Sequence, residues 1–211
     1  MTTEVVSYKY KAKLENLTWF EKKHGIMSMQ QLLARLPQVR EWILKTLEQH
    51  KALARPVSSY GFTRLPQYYS ADTLASTVVV EVPRVPVPPL AELGLPGFDE
   101  FQNGDYAGIT YLNTYFVNAK DARDESLHFH ELVHVIQWQH LGPDRFLAAY
   151  AAGYLTAGGY RDNSLEVTAY DLQAHFDSNG RPGNVEPLIR RQCGQEILPM
   201  LEQAMKEDIQ S

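Results

Sequence analysis

Residues 130–134 read His-Glu-Leu-Val-His. On an α-helix His130 and His134 stand four positions apart, about 40° apart around the axis, so both imidazoles can reach one metal ion. Glu131 projects from nearly the same side. There it can accept a proton from a metal-bound water without occupying the metal. Zinc suits this set, because it takes nitrogen and oxygen ligands and keeps one position open in catalytic sites. The flanks Phe129, Leu132, Val133, Val135 and Ile136 are apolar and would pack the helix into a core. Two histidines and a glutamate buried there are costly without partners, and a metal is such a partner.

A catalytic zinc of this kind needs a third protein ligand. Glu166, in Asn163-Ser164-Leu165-Glu166, is the preferred one, in the first turn of a later helix. Asn163 and Glu166 also have the N-cap and N3 spacing of a capping box, which would give Glu166 a purely local role. His140 and His175 compete as ligands. His140 is six residues after His134 and points away from the metal face, and His175 shares a face with Leu172 and Phe176. His128, two residues before His130, faces roughly the other side and reads as a second-layer hydrogen-bonding residue. Cys193 is the single cysteine, so thiolate zinc sites and intrachain disulfides are excluded.

The pair LHFHELVHVIQWQHLG and NSLEVTAYDLQAHF resembles the glutamate-type zincin metallopeptidases, and more closely small bacterial HExxH proteins of that group. The resemblance covers about residues 106–177. It implies one zinc ion held by His130, His134 and Glu166, with Glu131 as general base and acid, and peptide or protein as substrate. Tyrosine often supplies the oxyanion donor in that group. Tyr160, in the glycine loop before Glu166, is the first choice, with Tyr150, Tyr154 and Tyr170 as alternatives. By the same analogy the strand before the motif helix would bind the substrate backbone as an added strand. One departure stands out. The thermolysin-like branch carries an Asp four residues after its ligand Glu, whereas Tyr170 stands there here and Asp171 follows. The partners of the ligands must therefore differ.

The elements that would position these residues follow from patterning. Val5, Tyr8 and Tyr10 suggest a short strand. Met29, Leu32, Leu33 and Leu36 mark a helix that Pro37 would end, starting a second one with Trp42, Ile43 and Leu47. Residues 77–82 read as a strand, and the proline-rich stretch 83–89 as an edge strand or polyproline II segment. Residues 108–117 read as one strand. Ser126 would cap the motif helix, Gly142 would close it, and further helices span 144–154, 163–176 and 187–208 with a break near Pro199. The expected fold is α+β: a single domain over 1–211, with a small, mostly antiparallel sheet packed on the HExxH helix and a helix-rich C-terminal half. Residues 1–105 would elaborate a zincin-like core at 106–211.

Composition removes other function classes. The 211 residues carry 20 Lys and Arg against 25 Asp and Glu, a net charge of -5, with both signs dispersed. No basic stripe for nucleic acid exists. No run of eighteen apolar residues could form a membrane span. The N-terminus lacks the pattern of a secretory signal, so a cytoplasmic location is expected. Besides a zinc peptidase, the motifs allow a zinc hydrolase of non-peptide substrates or a non-catalytic metal-bearing scaffold.

Overall fold

The structure is a computed structural model that describes residues 29–157 and 163–210. The expected strand at Val5–Tyr10 lies outside the described residues. Helix α1 (Met29–His50) runs unbroken through Pro37, burying Leu32, Leu36, Val39 and Ile43. The proline removes one helical hydrogen bond, yet the apolar face continues on both sides of it, and packing outweighs that loss. A two-residue strand β1 (Arg55–Pro56) follows. Helix α2 (Ala71–Ser76), capped by the Ser70 hydroxyl accepting from the Thr73 amide, then feeds β2 (Val78–Val82).

The stretch 83–89 forms no strand. It leads through a short helix α3 (Asp99–Gln102) to a hairpin, β3 (Gly108–Tyr111) and β4 (Thr114–Asn118). The single strand expected at 108–117 is therefore two. The turn escapes notice because Leu112 carries the positive φ, at 60°, that such turns usually assign to glycine or asparagine.

The four strands form one sheet in the order β1-β2-β4-β3. β1 and β2 are antiparallel, as are β3 and β4, but the central pair, β2 with β4, is parallel. The sheet is thus mixed. Tyr115, Phe116 and Val117 of β4 are fully buried, as a strand covered on both faces requires. The alternation sorts the two faces. Phe116 and Tyr111 meet His50 and Trp42 of α1 through edge-on ring contacts. Tyr115 and Thr110 point the other way and bond to α4 (Glu125–Leu141), the motif helix.

Asp124, rather than Ser126, caps α4, its carboxylate accepting from the amides of Ser126 and Leu127. Gly142, with φ 76°, ends it. Pro143 then opens α5 (Pro143–Ala157) directly, where its fixed φ suits a first helical turn. Asn163 caps α6 (Ser164–Asp177). The tail is α7 (Glu186–Gln192), a π-helical segment (Cys193–Ile197) and α8 (Leu198–Gln210). The irregularity thus falls before Pro199, in the turn that loses its amide. No helix among the described residues is long and apolar enough to cross a membrane.

Candidate metal centre

α4 is buried nearly all round, against β3, α5, α6 and α7. His130, Glu131 and His134 are each about 95% or more buried. Glu166, in the first turn of α6, comes to the same point. His130 Nε2 lies 3.0 Å from His134 Nε2, and each lies 3.4 Å from a different oxygen of Glu166. These three residues form a group that could hold a metal ion. Asn163 caps α6 alone, its Oδ1 accepting from the Leu165 amide, and the Glu166 carboxylate turns to the histidines instead.

Each imidazole is held by a glutamine. His130 Nδ1–H donates to Gln173 Oε1 at 3.0 Å, and the Gln173 amide nitrogen donates to Ser126 Oγ. His134 Nδ1–H donates to Gln137 Oε1 at 2.8 Å, and the Gln137 amide nitrogen donates to the Leu165 carbonyl. The Leu165 carbonyl can only accept, so it turns the Gln137 amide with its oxygen to the His134 ring; the Gln173 amide likewise presents its oxygen to His130. That places the proton on each Nδ1 and leaves each Nε2 as a lone pair. Such outer partners fix the orientation and tautomer of metal-ligating histidines.

Two lone pairs at 3.0 Å beside a carboxylate need a cation among them. Glu166 Oε2 is buried and has no hydrogen-bond partner, a costly state for an ionised oxygen. Four ligands set tetrahedrally about zinc at bonds of about 2.05 Å lie about 3.3 Å from one another. The separations here match that spacing. Without a metal a proton must serve. Burial opposes charge on His134, but the facing Glu166 overrides it and raises the imidazole to about 9. Burial also opposes charge on Glu166, yet the two histidines hold its carboxyl well below the usual range. Tyr150 adds a hydroxyl that donates to Glu166 Oε1 at 2.8 Å, and the Tyr170 ring lies 4.7 Å from that of His130.

Glu131 is held from the strand side. Thr110 Oγ1 donates to Glu131 Oε2 at 2.6 Å. Gly108 lets the carboxylate approach β3, since a Cβ at that position would overlap Glu131 Oε1. Burial pushes the Glu131 carboxyl up, with the two histidines and the Thr110 hydroxyl working against it.

The other sequence-level choices divide. His140 and His175 are exposed, and His175 Nε2 hydrogen-bonds the Arg181 carbonyl, so neither is a ligand. His128 bonds to Tyr115 and to the Ala122 carbonyl, away from the centre. Tyr154 stacks on Phe98. Tyr160 lies outside the described residues. Gln137, Gln173, Thr110 and Gly108 escaped the sequence reading. Gln137 stands three residues after His134 and Gln173 seven after Glu166, both spacings that share a helix face, so their signal was present. Thr110 and Gly108 act across the sheet and left none.

A cavity of about 90 Å³ opens beside Glu131, His134 and Glu166. Its far walls are apolar, with Leu36 and Val39 from α1, Leu95 and Phe98 from the segment after β2, and Leu147 and Ala151 from α5. No family model matches this chain, and no curated protein or solved structure matches it.

Proposed function

We propose that this chain is a zinc-dependent metallopeptidase of the glutamate type. One observation carries the reading: two Nε2 lone pairs and an orphaned carboxylate oxygen converge at metal-ligand spacing, with a second carboxylate, Glu131, beside them. His130, His134 and Glu166 would hold the ion. When bound, zinc acidifies a water and polarises a carbonyl. Glu131 would take a proton from the attacking water and deliver it to the leaving nitrogen. Its raised proton affinity suits that exchange. Thr110 keeps the Oε2 atom fixed, so Oε1 is the oxygen left to receive the proton. Tyr160 is proposed as the oxyanion donor. Gln137 and Gln173 hold the ligand rings, and Tyr150 holds the ligand carboxylate.

Elemental analysis of purified protein, beside an assay of blocked peptides and matched esters, tests this. The expected result is one zinc per chain and amide hydrolysis that Glu131→Gln slows by roughly 10²–10⁴-fold. A protein that takes up no zinc on supplementation overturns it.

A further inference from the structure

β3 is the last strand of the sheet. Its pairing fixes which groups look outward. The Asn118 amide donates to the Ala107 carbonyl, so Ala107, Ile109 and Tyr111 bond inward to β4, while Gly108 and Thr110 turn their amides and carbonyls to the outer edge. A substrate strand added there would pair with Gly108 and Thr110. The Thr110 carbonyl is already taken: the Trp138 indole N–H donates to it at 3.1 Å. An added strand would lie about 4.8 Å away, which is the space the indole fills. Trp138 is fixed in turn by stacking on Phe146, with ring centroids 3.9 Å apart and planes within 16°.

What lies along this edge is the apolar cavity. Among its described lining residues there is no Lys or Arg to meet a substrate carboxylate, and its charged groups, Glu131, His134 and Glu166, belong to the metal centre. At about 90 Å³ it is smaller than the ~150 Å³ engineered cavity that holds benzene. That favours a slim aliphatic chain over a ring.

Resting on the reading of the site as a zinc amide hydrolase, we infer that Trp138 closes β3 to an added strand and that the site takes short substrates anchored by an uncharged aliphatic chain in the cavity. Trp138 is a specificity-determining residue here, because it occupies the position of the substrate strand. The chain supplies the affinity that main-chain pairing would otherwise give.

Three measurements test this. First, zinc content is determined for wild type, Ala151→Phe, Leu147→Phe and Trp138→Leu; loss in wild type overturns the metal reading alone. Second, binding of acetohydroxamate and pentanohydroxamate to zinc-loaded protein is compared. Each added buried carbon should tighten binding about fourfold. Ala151→Phe or Leu147→Phe should erase that gain and leave acetohydroxamate unchanged. Equal affinity of the two ligands in wild type overturns the cavity assignment. Pentanamide binding to metal-free protein, read by NMR shifts at cavity residues, repeats this test without metal, and absence of shifts overturns it likewise. Third, a pentanohydroxamate bearing a four-residue peptide on its α-carbon, which leaves the alkyl chain free for the cavity, is compared with the unextended compound. Wild type should bind both equally, and Trp138→Leu should favour the extended one. Tighter binding of the extended compound by wild type overturns the role given to Trp138.

Discussion

His128 and His130 stand two residues apart on α4, and both are buried, yet they live in opposite chemical conditions. His128 is saturated. Its Nδ1 accepts from the Tyr115 hydroxyl at 2.6 Å and its Nε2–H donates to the Ala122 carbonyl at 3.1 Å. Burial lowers its imidazole to about 4, so it is neutral. His130 has one nitrogen tied to Gln173, and the other is left facing His134 and Glu166. One region uses a histidine to complete a core, and the other leaves lone pairs unspent where a cation is needed. Burial alone does not separate a candidate ligand from a structural histidine. What separates them is whether the second nitrogen has a protein partner.

That contrast can be broken at either end. The largest effect belongs to His134→Ala, which should reduce zinc from one ion per chain to none by elemental analysis and remove amide hydrolysis altogether. Full zinc retention would place the ligands elsewhere. Next comes Glu131→Gln, expected to keep its zinc while kcat falls by roughly 10²–10⁴-fold, the range for removing a general base. Equal loss of zinc would show Glu131 to be a ligand.

Gln173→Leu and Gln137→Leu sharpen the claim that the glutamines set the tautomers. Each should weaken zinc by about 10–100-fold in competition with a chelator, and unaltered affinity would leave the rings self-oriented.

The smallest effect lies at the saturated histidine. Tyr115→Phe with His128→Leu should leave zinc content unchanged. A base whose proton affinity is lowered on folding stabilises the fold above its unfolded value, near 6.5, and that stability is lost as pH falls through about 4. Melting temperatures of metal-free protein across this interval should therefore drop more steeply for wild type than for the double variant. Parallel slopes would mean that His128 is charged in the fold.

The parts of this molecule that could be read from its residues are those governed by local spacing. The i, i+4 histidines, the Asn163 cap, the Gly142 terminus and the first-turn position of Glu166 all depend on helix periodicity, and the choice of Glu166 over His140 and His175 followed from it. What escaped depends on partners distant in the chain. Residues 77–82 read as a strand, formed at Val78–Val82, but nothing in them says that its neighbour is β4 and parallel. Leu112 breaks the turn rules, so the hairpin looked like one strand. Pro37 obeys the breaker rule in isolation and is overridden by the packing of Leu36, Val39 and Ile43. Thr110 looks like any β-branched strand residue until Glu131 is set against it.

Gly108 carries a consequence for recognising this chemistry in other chains. Glu131 reaches its place only because position 108 has no side chain. A chain that keeps the whole HExxH pattern and the later glutamate, but has alanine or anything larger at this strand position, must hold its motif glutamate in a different place. In comparing such chains, the residue that stands 22 positions before the first motif histidine is as informative as the motif, since it records whether the motif glutamate has room beside the strand.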